Sequence, residues 1–270
     1  MDKANILCVQ YNPILGDKKG NLDKAEDIIR QYSSNELDLV VLPEFFSTSI
    51  CDEAFINAPE DKDGGDVIKE VRNFAKRYNT NIIAGTVITL VDGKRYNTSF
   101  AINRDGEVIA RYNKIHLYNF AGGNEDKYIT PGSEVVVVDF DFAKVGMSIC
   151  FDIKFPMHYK KLIKQGAEII VSPSAWCTLS AFSEKVKSDF IKTWQGMNMC
   201  RAAETLTYFI TANLVGLADK NLYVIGNSMI CDPLGAIVAG ADTYESGVYG
   251  EIDLSVVRDF KKLYPVAEMD

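Results

Sequence analysis

Residues 145–156 read VGMSICFDIKFP. The first part is an apolar run typical of a buried strand. Pro156 suits the first position of a helix, where a missing N–H costs nothing. The stretch therefore predicts a strand, a sharp turn that carries Cys150, and then a helix. A thiol just before a helix N-terminus is expected to feel the positive end of the dipole, which favours thiolate. Alone, the stretch also fits a buried cysteine that only closes a core strand, since free cysteine is among the most buried residue types.

The composition is that of an ordinary globular protein. The chain has 270 residues, of which 47% are apolar and 24% charged, and a net charge of -8. No basic cluster is present, so a nucleic-acid partner is not expected. The longest apolar runs have the length of strands, which predicts no membrane-spanning helix and no membrane partner. The start, MDKAN followed by ILCV, leaves no room for a signal peptide, and we expect a cytoplasmic protein.

The cysteines and histidines do not predict a metal site. Two histidines and six cysteines are present, and the cysteines lie at positions 8, 51, 150, 177, 200 and 231. No CxxC pair occurs, which disfavours zinc. A chain of this length without a secretion signal does not need a disulfide framework, so reduced thiols that mostly fill the core are expected.

Strand and helix signals alternate along the whole chain without a linker, so residues 1–270 are interpreted as a single domain. Asp92-Gly93 and Asp105-Gly106 are hairpin signals and predict a meander over residues 82–115. Other strands are predicted at 6–11, 37–42, 135–138, 145–149, 169–171, 206–213, 228–231 and 247–252. Helices are predicted at 22–32 with Asn21 as N-cap, 66–78, 159–165, about 182–205, and from 254. The number of predicted strands exceeds what one sheet holds comfortably. The sequence therefore predicts an α/β fold with two mixed sheets packed together and helices outside.

Three polar residues follow buried strands. Glu44 follows residues 40–43, Lys114 lies in the segment 111–117, and Cys150 follows residues 146–149. Ligand sites in α/β folds gather outside the carboxyl ends of strands. A carboxylate, an ammonium and a thiol that meet there form an activated nucleophile, in which Glu44 is the general base and Lys114 stabilises negative charge.

These segments resemble the nitrilase superfamily of carbon–nitrogen hydrolases over nearly the whole chain. The glutamate motif is LPEF at 42–45, the lysine motif is YNKIHL at 112–117, and the cysteine motif is ICFDIKFP at 149–156. Supporting matches are YNT at 96–98, YITPG at 128–132, RAAE at 201–204 and GNS at 226–228. Their occurrence together in the family's order is specific, although each is weak alone.

The resemblance implies a four-layer αββα sandwich and a Cys–Glu–Lys triad that needs no cofactor. Glu125 lies seven residues before Gly132, the spacing of a second family glutamate, and would orient Lys114. The backbone N–H of Phe151 would help Lys114 to hold an oxyanion. The resemblance also implies at least a homodimer. Trp176 follows another strand end and fits either the wall of a substrate pocket or core packing.

Phe151-Asp152 after the cysteine favours an amidase, because the nitrile-cleaving branch typically has Trp-Glu there. The motif looks most like ω-amidase and Nit-type members, which implies a small amide substrate, a thioester on Cys150, and release of ammonia and an acid. An N-carbamoyl amidohydrolase remains open, because a ureido carbonyl needs the same machinery. Lys154 stands where many relatives have arginine, which keeps the charge but loses a bidentate carboxylate fork.

Two further hypotheses are a different catalytic pair and a protein of this fold without catalytic activity. A papain-like Cys–His pair would use His116 or His158. His158 is expected in the first turn of a helix, facing solvent, and His116 is expected to be a structural hydrogen-bonding residue behind the lysine motif. A catalytically silent scaffold on the same fold is the other alternative, and the intact triad argues against it.

Overall fold

A computed structural model describes residues 2–50, 52–57, 59–120, 123–218 and 221–269, so Cys51 lies outside the described residues. Its strands are β1 (Lys3–Gln10), β2 (Leu39–Val41), β3 (Asn81–Ile83), β4 (Val87–Val91), β5 (Lys94–Ile102), β6 (Val108–Asn113), β7 (Val136–Asp139), β8 (Lys144–Met147), β9 (Ile169–Val171), β10 (Cys177–Leu179), β11 (Tyr208–Thr211), β12 (Val215–Leu217), β13 (Leu222–Ile225), β14 (Met229–Cys231), β15 (Ile237–Gly240) and β16 (Ser246–Asp253). Its α-helices are α1 (Lys18–Tyr32), α2 (Asp52–Asn57), α3 (Gly65–Tyr78), α4 (Pro156–Lys164), α5 (Glu184–Thr205) and α6 (Leu254–Leu263).

Two large mixed sheets form the centre of the molecule. The first sheet has the order β16-β1-β2-β3-β5-β4, with β6 paired to β5, and the second has the order β15-β14-β11-β9-β8-β7. In the first sheet β1, β2 and β3 run parallel, and in the second β8, β9 and β11 run parallel. A small sheet, β10-β13-β12, stands apart from them.

The alternation of apolar residues along the strands explains the layers. In β1, Ile6 and Cys8 point into a core between the two sheets, whereas Leu7 and Val9 point to the outer face. Successive side chains of a strand point to opposite faces, and a strand that is apolar on both faces needs cover on both. The near-continuous apolar strands therefore dictate that each sheet lies between its partner sheet and a layer of helices.

The helices supply that outer cover. Side chains of α1 and α3 pack on the outer face of the first sheet, and side chains of α4 and α5 pack on the outer face of the second. The order helix, sheet, sheet, helix is the four-layer sandwich that the sequence resemblance implied. The hairpins predicted at Asp92-Gly93 and Asp105-Gly106 join β4 to β5 and β5 to β6, which pair antiparallel.

One sequence expectation about this fold is wrong, and some strands were not expected. Helix α1 starts at Lys18 with Asp17 as its N-cap, not after Asn21. Asn21 is buried within the helix, where its side chain bonds the backbone of Ile14 and Ser47. The small sheet β10-β13-β12 and strand β15 were not predicted.

The described cysteines are mostly buried. Cys8, Cys150, Cys200 and Cys231 carry free thiols, and of these only Cys200 is exposed. Within the described ranges, none of the helices combines the length and the apolar composition needed to cross a bilayer.

Candidate active site

The predicted residues meet at one end of the sandwich. Glu44 follows β2 of the first sheet, Cys150 follows β8 of the second, and Lys114 directly follows β6. Glu125 opens a 3-10 turn, Glu125–Lys127, in the connection after Lys114. All four side chains are buried, with Glu44 and Lys114 each 1% exposed. The structure thus brings together residues that are up to 106 positions apart in the chain, from 44 to 150.

Lys114 lies between two carboxylates. Its Nζ atom is 2.9 Å from Glu44 Oε1 and 2.9 Å from both Oε1 and Oε2 of Glu125. An ammonium has three donors, so these carboxylates use its full donor capacity in the structure. The backbone N–H of Tyr118 also donates to Glu125 Oε2, at 2.6 Å, which fixes the loop carboxylate toward the lysine.

Glu44 is held at both oxygens. Asn97 Nδ2 donates to Oε1 at 2.9 Å, and the backbone N–H of Ala175 donates to Oε2 at 3.0 Å. Asn97 lies on β5 and Ala175 lies beyond the end of β9, so both sheets fix this side chain. The carboxylate is therefore oriented before any ligand arrives, which lowers the cost of its reorganisation.

Cys150 occupies a strained turn. Its φ angle is +44°, in the left-handed region, which non-glycine residues seldom adopt and which recurs at active sites. Its backbone N–H donates to Pro173 O at 2.9 Å, which ties the turn to the connection after β9. A short 3-10 helix, Cys150–Lys154, follows, and α4 begins only at Pro156, its N1 residue.

The expected stabilisation of a Cys150 thiolate by a helix dipole is wrong. The α-helix starts six residues after Cys150, and dipole effects fall off within the first turn. Burial raises the pKa of the Cys150 thiol well above its ordinary value, and the Glu44 carboxylate raises it further against the opposing effect of Lys114. The resting thiol is therefore protonated at neutral pH.

The pKa values of Lys114 and Glu125 depend on burial and on the charges around each group. Burial alone would lower the pKa of Lys114, but attraction to Glu125 and Glu44 outweighs it and raises the pKa well above the usual range. Burial raises the pKa of Glu125, while Lys114 acts in the opposite direction. Lys114 is consequently a permanent cation at neutral pH, suited to stabilise a developing oxyanion.

The two histidines do not form a pair with the thiol. His116 Nδ1 donates to Asp152 Oδ1 at 2.6 Å, and its ring stacks on Phe155 with centroids 3.6 Å apart. His158 is only 3% exposed on α4, so the expectation that it faces solvent is wrong. Its Nε2 atom lies 3.4 Å from Met147 O. The papain-like arrangement therefore loses its support.

His116, Asp152 and His158 bring potential metal-ligating atoms within 4.8 Å of one another. However, both Asp152 oxygens already accept hydrogen bonds, from Tyr112 and Ile149 at Oδ2 and from His116 at Oδ1. This donor set has the chemistry of a hydrogen-bond network rather than that of an open coordination site.

A cavity of about 490 Å³ opens in front of Cys150, within the size range of small-molecule sites. Both sequence candidates for substrate contact line it. The half-buried Phe151 packs edge-on against Tyr118 with centroids 5.2 Å apart. Trp176 lines the cavity and also stacks on buried Trp194, at 5.0 Å, so both interpretations of this residue hold. The remaining wall is mainly apolar and includes Phe45, Ile50, Phe55, Phe190 and Leu222.

Sequence reasoning missed three contributors to this site. Asn97 was noted only as part of a supporting motif, and Ala175 and Tyr118 act through backbone N–H groups that no side-chain pattern reveals. The YNT match at 96–98 was the one available signal for Asn97, and its meaning follows from burial, since a fully buried asparagine needs a hydrogen-bond partner.

Comparison with known proteins identifies the family. Residues 6–262 match the family model of carbon-nitrogen hydrolases. The chain belongs to the carbon–nitrogen hydrolase family. It is 29% identical to 2-oxoglutaramate amidase of Bacillus subtilis over 264 residues, covering 98% of this chain and 96% of that protein. It is 27% identical to omega-amidase NIT3 of Saccharomyces cerevisiae over 278 residues, covering 98% and 92%.

A solved structure supports the same assignment. The crystal structure of Saccharomyces cerevisiae Nit3, a member of branch 10 of the nitrilase superfamily, matches with a TM-score of 0.85 at 26% identity, covering 99% of this chain and 96% of that one. The predicted superfamily and the αββα sandwich are confirmed. This carbon–nitrogen hydrolase is thus an amide-cleaving enzyme.

Proposed function

We propose that Cys150, Glu44 and Lys114, assisted by Glu125, form the catalytic centre of an amidase that acts on small linear amides. The observation that carries this proposal is the position of the Lys114 ammonium, 2.9 Å from each of two buried carboxylates and beside a thiol on a strained turn. Nucleophile, base and cation stand within one cavity. That arrangement suits acyl transfer to sulfur.

In the acylation half, the Cys150 Sγ–H proton passes to Glu44 as sulfur bonds to the amide carbon. The carbonyl electron pair moves to oxygen, and Lys114 together with the N–H of Phe151 stabilises that oxyanion. When the oxyanion collapses, the C–N bond breaks and Glu44 gives its proton to the leaving nitrogen. Ammonia departs, and a thioester remains on Cys150.

In the deacylation half, Glu44 takes a proton from water while the water oxygen bonds to the thioester carbon. The second oxyanion collapses, the C–S bond breaks, and the sulfur regains its proton from Glu44. The sum is amide plus water giving carboxylic acid plus ammonia. The protonated resting thiol supports this scheme, because the thiolate then forms only as the proton is transferred to Glu44.

We further propose that the substrate is an ω-amide or a short aliphatic amide. The relatives named 2-oxoglutaramate amidase and omega-amidase support the first class. The apolar wall supports an unbranched acyl chain packed beside Phe151 and Trp176, which would contact the substrate. The volume of about 490 Å³ suits a molecule of this size.

We propose that residues 1–270 form one domain. We also propose that the protein assembles at least into a homodimer and that it works in the cytoplasm. The core between the sheets draws on residues from Ala4 to Val257, which supports one domain. The homodimer rests on the resemblance to a superfamily whose members commonly pair, and sedimentation velocity tests it. Free thiols suit a reducing compartment.

Ammonia release from a panel of ω-amides, short aliphatic amides and N-carbamoyl compounds tests the proposed function. Intact-mass measurement during turnover should show an acyl adduct that Cys150→Ala abolishes together with activity. Cys200→Ala is the matched control, since this thiol is exposed on α5 and should leave both readouts unchanged. Full activity in Cys150→Ala, or no ammonia from any compound, would contradict the proposal. Carbon dioxide released together with ammonia would instead indicate an N-carbamoyl substrate.

A further inference from the structure

Asp152 connects the cysteine turn to the lysine loop. This side chain is 0% exposed. Its Oδ2 accepts hydrogen bonds from the backbone N–H of Ile149 at 2.9 Å and from the Tyr112 hydroxyl at 2.6 Å. Its Oδ1 accepts from the backbone N–H of His116 at 3.1 Å and from His116 Nδ1 at 2.6 Å. One carboxylate therefore holds the residue before Cys150 and two residues that flank Lys114.

Both segments need an external restraint. Cys150 has a φ angle of +44°, and a left-handed non-glycine residue persists only when its surroundings hold it there. Lys114 is the first residue after β6, and the chain beyond it leaves regular structure. Asp152 bonds the backbone on the strand side of the turn and the backbone two residues after the lysine, so it acts on both at once.

We infer that Asp152 is a positioning residue that sets the placement of the Cys150 thiol relative to the Lys114 ammonium. This inference rests on the proposed function of those two residues. Asp152 touches neither substrate nor reacting atoms in this scheme. It acts through the backbone of Ile149 and of His116, and Tyr112 adds a third tie from the end of β6.

The chemistry of the network requires a carboxylate. Each of the two Asp152 oxygens accepts from a backbone N–H, Ile149 at Oδ2 and His116 at Oδ1, and a backbone N–H can only donate. An ionised carboxylate is acceptor-only and offers about four lone-pair sites. An amide in its place would turn an N–H₂ group toward at least one pair of donors, leaving buried groups unsatisfied. The turn or the loop would then move.

Asp152→Asn is the direct test, because it keeps the side-chain volume and removes the second acceptor oxygen. We expect kcat to fall about 100-fold with KM within about threefold, since a displacement of about 1 Å between reacting groups costs that much. Asp152→Glu should restore part of kcat. A purely structural role would reduce the folded fraction but leave kcat per folded molecule unchanged.

Asp38→Asn is the matched control. Asp38 is also buried, accepts the Asn5 N–H at 2.8 Å and pairs with Arg104 at 2.6 Å, but it precedes β2 at the end opposite Glu44. The Asp38→Asn variant should lose about as much free energy of unfolding as Asp152→Asn and keep the wild-type kcat. Equal kcat in Asp152→Asn and wild type would overturn the inference. A wild-type protein that releases no ammonia would instead overturn the proposed function.

If Asp152→Asn does not fold, Tyr112→Phe decides the matter. It removes one of the donors to Asp152 and leaves the aromatic ring in the core. We expect kcat to fall about 5- to 10-fold at unchanged KM, less than the full effect of one hydrogen bond to a charged group, because the backbone N–H groups of Ile149 and His116 still hold Asp152. Tyr249→Phe, which loses a 2.8 Å bond to Asn5 on the edge of the first sheet, should keep kcat. A Tyr112→Phe enzyme with wild-type kcat would overturn the inference.

Discussion

Lys114 Nζ lies 2.9 Å from both carboxylate oxygens of Glu125, and both side chains are buried. The ammonium is therefore shared between Glu125 and Glu44 rather than paired with Glu44 alone. In the proposed scheme, Glu125 holds the cation in place beside the Glu44 base and the Cys150 thiol.

Glu125→Gln should lower kcat about 100-fold, equivalent to about 2.7 kcal/mol of transition-state stabilisation. The neutral amide removes the charged partner that holds Lys114 Nζ with both oxygens, so the ammonium loses its fixed position at the expected oxyanion site. Steady-state ammonia release measures the effect. Glu168→Gln is the matched control, because this partly buried glutamate pairs with Arg258 at 2.8 Å, before the start of β9. Unchanged kcat in Glu125→Gln would remove Glu125 from the proposed centre.

Glu44→Gln should change thiol ionisation and turnover in opposite directions. After burial, the Glu44 charge is the main reason that the pKa of Cys150 is raised. In Glu44→Gln, the effect of the Lys114 ammonium on the Cys150 thiol is no longer opposed by the Glu44 charge. The pKa of Cys150 should therefore fall. Turnover should fall about 1,000-fold, because a positioned base contributes 10²–10⁴-fold.

Ultraviolet absorbance of the thiolate across a pH titration, with Cys150→Ala as the blank, measures the first effect, and ammonia release measures the second. A Cys150 pKa that rises in Glu44→Gln would contradict the arrangement of charges described above.

Much of this centre was predictable from strand patterns. Glu44 and Cys150 follow buried apolar runs, and the rule that sites gather at carboxyl ends of strands brought them together before any contact was known. The ionisation of Cys150 was not predictable in the same way. It depends on how completely the surrounding structure buries the thiol and on the nearby charge of Glu44, and residues 145–156 alone determine neither.

The parts that sequence reasoning missed share a physical cause. Strands β12 and β13 have only three and four residues, so neither is long enough for a clear period of two. His158 was expected in solvent because its position in the helix, and not its packing on Tyr112 and Tyr159, was available. Tertiary packing decides such positions.

Asn97→Ala should reduce kcat about 10-fold or more. The Asn97 amide donates to Glu44 Oε1 at 2.9 Å, and a hydrogen bond to a charged group contributes about 1.5–3 kcal/mol. Without it, Glu44 retains Lys114 and the Ala175 N–H but can rotate away from the thiol. Ammonia release per folded molecule gives the measurement.

Asn81→Ala is the control for this substitution. Asn81 is equally buried on β3, but its amide donates to Asp38 and Asp141, away from the cavity. It should lose stability and keep kcat. Equal kcat losses in the two variants would show that the effect of Asn97 is not specific to Glu44.

Acid should destabilise the protein in two steps, and His158 should account for the first. Burial lowers the pKa of His158, although Asp152 and Met147 O oppose this. Between about pH 6.5 and the lower pKa of folded His158, the unfolded chain binds more protons than the folded chain. The free energy of unfolding therefore decreases as the pH is lowered through that window.

Asp152 should account for the second step. Burial acts against its ionisation, but hydrogen bonds from His116 and Tyr112 outweigh burial and lower the pKa of Asp152. Its contribution is present above about pH 3.9 and is lost below, as the carboxylate is protonated.

Urea unfolding of wild type and of His158→Phe at about pH 7.5 and about pH 5.5 separates the first step. The wild type should lose up to about 1.4 kcal/mol per pH unit more than the variant, which cannot titrate at this position. Phenylalanine suits the site, because His158 packs against the rings of Tyr112 and Tyr159. Tyr249→Phe, an aromatic substitution on β16 that leaves His158 in place, should follow the wild-type pH dependence. Equal losses in wild type and His158→Phe would mean that the burial of His158 is not the source of acid sensitivity, because a residue that does not titrate cannot change the slope of stability with pH.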